Sequence, residues 1–207
     1  MSEPADLFVL CADRDIEQAV LGLLSRTHAV GIRSIQTAEV RPFARHDGGC
    51  RVEGVSFLRA LRGQFRHSLL IFDHHGSGAE TTAAELENRL EEELRKSGWG
   101  EDAAVIVIDP EIEAWVWAES NQVDRILGWS KDQNLRTWLQ SNDYIKTGQQ
   151  KPVEPKKAML AALRHVAMKP YSSIFRQLAD KVSFNGCTDR SFNKLTSTLQ
   201  RWFPPSA

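Results

Sequence analysis

The chain has 207 residues, 42% of them hydrophobic and 26% charged, with a formal net charge of −1 at pH 7. This composition is typical of a globular protein with a sizeable core and excludes a strongly basic, dedicated nucleic-acid binder, while three scattered cysteines exclude a disulfide framework or a zinc cluster. Because no apolar run approaches the ~20 residues of a membrane span and Met1–Asp6 lacks a signal-peptide pattern, we expect a cytoplasmic protein without a membrane association.

The first part of the chain alternates apolar strands with helices. Leu7–Ala12, Ser68–Phe72 and Ala103–Ile108 are continuous apolar runs, as expected for strands covered on both faces. The pattern further predicts a strand at Ile32–Val40, helices at Ile16–Leu24, Val55–Arg66, Thr81–Lys96 and Glu111–Ala118 (the last with Pro110 at its first position), and a glycine-bearing loop at Arg41–Gly54. This order predicts an α/β core over residues 1–120, with a mainly parallel sheet flanked by helices.

The second part of the chain is predicted to be helical. Short helices are expected at Val123–Trp129 and Asn134–Gln140, followed by a polar loop at Asn142–Pro155. Three longer helices are expected at Lys156–Met168, Ser172–Val182 and Asp189–Phe203. We therefore predict that residues 121–207 form a C-terminal helical region packed on the core.

Charge is unevenly distributed along the chain. Eight arginines face three acids between Arg26 and His67, thirteen acids face three basic residues between Glu80 and Asp124, and ten basic residues face three acids from Lys151 onward. Two basic segments around an acidic centre would suit a polyanion lying over a metal site. The alternative is that these charges lie on solvated helix faces and pair with one another.

Acidic and imidazole side chains stand where the apolar strands should end. Asp13 follows the first run, Asp73 and His75 follow the second, and Glu113 follows the third. In an open α/β sheet, ligands bind beyond the carboxyl ends of the strands, and carboxylates gathered there are commonly neutralised by a divalent cation. The sequence thus predicts a Mg²⁺ or Mn²⁺ site with these four residues as ligands.

Each of these residues also has a structural interpretation. Asp13 would cap the helix that follows it, Asp73 and His75 would shape the glycine turn, and Glu113 would favour a helix start. If the metal site exists, the ion would act as a Lewis acid and activate water, with Asp13 or Glu113 moving the proton. Phosphate would then be neutralised by Arg14 and by one or two of Arg59, Arg62 and Arg66.

Five short motifs follow one another along the chain. They are Asp13-x-x-x-Glu17, Asp73-x-His75-Gly76, Pro110-Glu111-Ile112-Glu113-Ala114-Trp115, Lys156-Lys157 after Pro155, and Ser191-Phe192. The ordered set resembles the Toprim-like proteins of bacterial defence systems, and in particular a component of methylation-associated defence systems. In that family the first acid is normally Glu and the second motif is normally Asp-x-Asp, so Asp13 and His75 depart from the pattern. An imidazole in the ligand set would favour Mn²⁺ or Zn²⁺ over Mg²⁺.

The resemblance implies one of two functions. The first is a metal-dependent, phosphodiester-cleaving nuclease in antiphage defence, with nucleic acid as substrate. The second is a non-catalytic Toprim-like module that binds other proteins of a multi-component defence complex. Asp73-His74-His75 is also similar to the phosphoesterases named after an Asp-His-His motif, but their downstream glycine- and histidine-rich motif is absent.

Overall fold

Four strands form one parallel sheet. In a computed structural model, which describes residues 3–118, 120–129, 134–184 and 187–205, the strands are β1 (Ala5–Cys11), β2 (Ala38–Pro42), β3 (Phe65–Asp73) and β4 (Ala103–Ile108). Their order across the sheet is β2-β1-β3-β4, and each neighbouring pair is parallel. The predicted α/β architecture with a mainly parallel sheet is confirmed, and the three apolar runs are the three most buried strands.

Helices cover both faces of the sheet and make up the rest of the regular structure. They are α1 (Arg14–Ser25), α2 (Thr27–Val30), α3 (His46–Arg59), α4 (His74–Ser77), α5 (Ala83–Leu94), α6 (Asn121–Ile126), α7 (Leu135–Ser141), α8 (Pro155–His165), α9 (Ser173–Lys181) and α10 (Arg190–Trp202). A π turn (Arg95–Trp99) follows α5, and a 3₁₀ turn (Ile112–Trp115) follows β4. No helix in the described part of the chain is both long and apolar enough to cross a membrane.

The segment Arg41–Gly54 is largely helical, so the prediction of a loop was wrong. Helix α3 begins at His46, and Gly54 within it serves close packing rather than chain reversal. A Cβ atom added to Gly54 would lie 2.8 Å from Cδ1 of Leu70 on β3. One of the glycines that suggested a loop therefore allows this helix to approach the sheet closely.

The region after β4 also differs from the predicted α-helix. The Asp109–Pro110 peptide bond is cis, and Pro110 precedes the 3₁₀ turn instead of opening a helix. The indole nitrogen of Trp115 donates to Ser191 at 2.9 Å, and that of Trp117 donates to the carbonyl of Pro155 at 3.3 Å. Contacts with the C-terminal helices thus decide the conformation of a segment whose local pattern favoured a helix.

The C-terminal helices pack on the α/β core. Helix α9 lies against α1, and the Arg26 guanidinium donates to the carbonyls of Ala179 and Val182, both at 2.7 Å. Gln200 of α10 donates to the carbonyl of Val30 at 2.7 Å. A single cluster of buried hydrophobic residues runs from the strands into these helices.

Carboxylates of α5 occupy the outer edge of β4. Glu87 is buried, and its Oε1 accepts from the backbone N–H of Val107 at 2.7 Å. Its Oε2 accepts from Arg190 at 2.6 Å and from Lys194 at 3.1 Å. Side chains of α5 and α10 therefore cover the outer edge of β4, which could otherwise pair with another strand.

Candidate metal centre

Asp13 and Asp73 occupy equivalent positions at the carboxyl ends of the neighbouring strands β1 and β3. Cys11 of β1 pairs with Ile71 of β3, and each aspartate lies two residues beyond its member of that pair. Asp13 caps α1, because its Oδ1 accepts from the backbone N–H groups of Asp15 and Ile16 at 3.0 Å each. The capping interpretation is correct, but it uses only one of the two carboxylate oxygens.

Asp73 is buried and incompletely satisfied. The residue is only 6% exposed, and its Oδ1 has no hydrogen-bond partner among the residues that the structure describes. Burial raises the pKa of Asp73 well above its usual range, and the charges of Asp47, Asp13 and Glu113 raise it further. Orphaned buried polar atoms are rare in native proteins and require an explanation.

Glu113 shows the same combination on the 3₁₀ turn. The residue is 5% exposed, and its Oε2 has no hydrogen-bond partner within the described part of the chain. Burial raises the pKa of Glu113 to about 7, although the nearby Lys156 ammonium acts in the opposite direction. Such a group can take up or release a proton close to neutral pH.

Lys156, in the first turn of α8, connects these acids. Its Nζ lies 3.6 Å from Oε1 of Glu113 and 3.8 Å from Oε2 of Glu111. Partial burial acts to lower the pKa of Lys156, but the charges of Glu113, Glu111, Asp73 and Asp13 raise it overall. The Lys156 ammonium is thus attracted by all three predicted acidic ligands, Asp13, Asp73 and Glu113. In the sequence, only the resemblance to Toprim-like proteins had pointed to this lysine.

Asp47 is a member of the site that sequence reasoning missed. It lies in the first turn of α3, and its Oδ1 accepts from the backbone N–H of Asp73 at 2.8 Å. A Cβ atom on Gly76 would lie 2.2 Å from Oδ2 of Asp47, so the glycine of the second motif makes room for this carboxylate. The glycine at position 76 is the feature of the sequence that could have indicated a group packed closely against this turn.

The histidines lie outside the buried part of the site. His75 is exposed, and its backbone N–H donates to the carbonyl of Pro110 at 3.0 Å. Its side chain lines a cleft of about 590 Å³ together with Glu111 and Lys156. His74 bonds through Nε2 to the carbonyl of Thr81 at 2.7 Å. The structure therefore places His75 at an open cleft beside the carboxylates rather than among them.

The predicted phosphate-binding arginines are divided between the carboxyl ends and the amino ends of the parallel strands. Arg14 lies next to Asp13, is exposed, and pairs with Glu17 at 2.6 Å. The amino ends of the strands, where α3 ends and β3 begins, carry the other three: Arg59, Arg62 and Arg66. Arg62 donates to the carbonyl of Gly98, and Arg66 pairs with Glu3. The structure does not bring these three arginines to Asp73.

The donor set fits a hard divalent cation. Asp73 and Glu113 each offer a buried oxygen without a partner, and carboxylate oxygens are preferred by Mg²⁺ and Mn²⁺. Within the described residues, no three His, Cys, Asp or Glu side chains form a ready-made metal-binding group. Mg²⁺ commonly uses one or two carboxylates and retains several waters, so such a group is not required.

Comparison with known proteins found no relative. No family model, curated protein or solved structure matches the chain. The likeness to Toprim-like defence proteins therefore rests on the motifs alone.

Proposed function

We propose that the protein is a divalent-metal-dependent phosphodiester-cleaving enzyme, a nuclease-like component of a bacterial antiphage defence system. The observation that carries the proposal is the pair of buried carboxylates, Asp73 and Glu113, each with an unpartnered oxygen at the carboxyl edge of a parallel sheet. Burial of a carboxylate without a compensating partner is costly, and a bound cation removes that cost. The location is where open α/β sheets bind their ligands.

Each residue of the site has a role in this proposal. Asp73 and Glu113 would hold the ion, the second oxygen of Asp13 would complete the set, and Asp47 would position the Asp73 backbone through their hydrogen bond. When bound, the metal supplies Lewis acidity and an activated water. Glu113, with its pKa near 7 in the absence of metal, would have to release its proton in order to bind the ion, so binding of the metal would release a proton near neutral pH.

The basic side chains in the cleft beside the carboxylates support the proposal of a polyanionic substrate. The cleft is lined by Lys156, Lys157 and Arg164 of α8 together with His75 and Tyr144, and by Glu111 and Glu154, which pair with the two lysines. These cations replace the three arginines at the far edge of the sheet as candidates for phosphate contact. A nucleic-acid strand in this cleft would place a phosphate next to the metal ligands.

A cleavage assay tests the proposal. Single- and double-stranded DNA and RNA would be incubated with the protein and Mn²⁺ or Mg²⁺, using the wild type, Asp73→Asn, Glu113→Gln and the exposed control Glu93→Gln. We expect metal-dependent cleavage that falls by about 100-fold or more in the two site variants and is unchanged in the control. Cleavage that persists in chelator, or that survives both site substitutions, would contradict the proposal.

Two features of the site also favour a second function. Lys156 already provides Glu113 with a positive charge, and Asp13 already has a structural role as a helix cap. A protein with these partners could be a non-catalytic module that binds other proteins of the defence complex. That function predicts that Asp73→Asn leaves complex assembly intact and that no substrate is cleaved.

A further inference from the structure

The Lys156 ammonium lies at the carboxylate site without being fixed there by a short contact. Its distances to Glu113 and Glu111, 3.6 and 3.8 Å, exceed a hydrogen bond, and its side chain is 51% exposed. Among the residues that the structure describes, Lys156 is the sole cation paired with Glu113, and no ion pair involves Asp73. The ammonium is therefore held near these two carboxylates by charge attraction and not by a hydrogen bond to them.

The backbone of Lys156, in contrast, is firmly placed. Pro155 opens α8, and the backbone N–H of Lys156 donates to Oε1 of Glu111 at 3.2 Å. The helix is anchored by Ala158, Met159, Ala162 and Leu163, which are all buried. A fixed backbone with a long, half-exposed side chain allows the ammonium to pivot between the acids and the cleft.

We propose that Lys156 is the built-in counter-cation of the carboxylate site, and that a divalent metal ion competes with it for Glu113 and displaces its ammonium toward the cleft. The inference rests on the proposed function for the metal. An ammonium and a divalent cation close to the same carboxylates repel each other strongly in a partly buried site. Lys156 therefore lowers the affinity for the metal, and its displacement moves the ammonium away from Glu113 and further into the cleft that Lys156 already lines with His75 and Arg164.

The adjacent residue provides a matched control. Lys157 carries the same charge one position further along α8, but its ammonium pairs with Glu154 at 2.9 Å, away from Glu113. Lys156→Met and Lys157→Met change the net charge and the side-chain volume equally. A difference between the two variants therefore reports on contact with the site and not on the overall charge.

Titration calorimetry with Mn²⁺ alone tests the inference. We expect Lys156→Met to bind Mn²⁺ at least about tenfold more tightly than Lys157→Met, which should bind like the wild type. As a second readout, Mn²⁺ should raise the melting temperature of Lys156→Met more than that of Lys157→Met. Lys156→Gln, which keeps a polar side chain, serves if the methionine variant does not fold.

The possible outcomes separate this inference from the proposed function. If the wild type binds Mn²⁺ through Asp73 but neither Lys156 variant binds more tightly, the inference is overturned and the proposed function stands. If only the Lys156 variants bind, the inference is supported and metal dependence of the native protein is contradicted. If no variant binds Mn²⁺, both are overturned.

Discussion

The Glu113 carboxyl group should make the stability of the protein depend on pH. Its pKa of about 7 in the folded protein exceeds its ordinary value of 4.5, so the folded state binds more protons between these two pH values. Stability then falls as the pH rises from 4.5 to about 7, by on the order of 3 kcal/mol for this group. Glu113→Gln should gain stability relative to the wild type between pH 5 and pH 8, measured by urea unfolding. An equal difference at both pH values would contradict the assignment.

Gly76 should be required for the arrangement of Asp47. A methyl group at this position would meet Oδ2 of Asp47 at 2.2 Å, so the carboxylate must move and lose its bond to the Asp73 backbone. We expect Gly76→Ala to destabilise the fold by about 1–3 kcal/mol in chemical unfolding. Gly48→Ala is the control, because a Cβ atom there meets nothing within 4 Å. Equal effects of the two substitutions would show that the close approach is unimportant.

At the residue scale, the sequence identified the acids at strand ends but not the site that they form. Asp13, Asp73 and Glu113 could be found because each comes soon after the end of an apolar run, the first two immediately and the third after the turn that follows Ile108. Asp47 could not be found, because it reaches Asp73 only through the packing of α3 on β3. Lys156 lies more than 40 residues beyond Glu113, and no local pattern relates them.

At the scale of the elements, local patterns were sufficient for the buried strands and insufficient for α3 and the 3₁₀ turn. Continuous apolar runs have one stable placement in a parallel sheet, so three strands were predicted within a few residues. The glycines in α3 suggested a loop, because the packing of Gly54 against Leu70 is a tertiary property that a local pattern does not reveal. The turn at Ile112–Trp115 depends likewise on contacts with distant residues.

The edge of β4 provides a prediction about these elements. Glu87→Ala would leave the Val107 N–H and the side chains of Arg190 and Lys194 without their shared acceptor. We expect a loss of roughly 1–3 kcal/mol in the free energy of unfolding, measured with urea. Glu93→Ala, an exposed position on the same helix, should change it by less than about 0.5 kcal/mol. A loss no larger than in this control would show that the carboxylate does not stabilise the edge.

At the scale of the whole molecule, the α/β core and the C-terminal helices share one hydrophobic core. Helix α9 covers α1, and α10 lies against β4. Residues 1–120 alone would expose the apolar surfaces that these helices bury. We expect this fragment to lack a cooperative thermal transition in circular dichroism, whereas the full chain shows one. A sharp transition of the fragment would mean that the core is independent of the helices.

The proposed enzyme requires Asp73 and Glu113 to hold a divalent cation at the carboxyl ends of the strands. Calorimetry would measure Mn²⁺ binding by the wild type, Asp73→Asn and the exposed control Asp143→Asn. We expect saturable binding by the wild type and the control, and its loss in Asp73→Asn. Equal binding by all three proteins, or no binding by the wild type at millimolar Mn²⁺, would show that these carboxylates do not hold the ion.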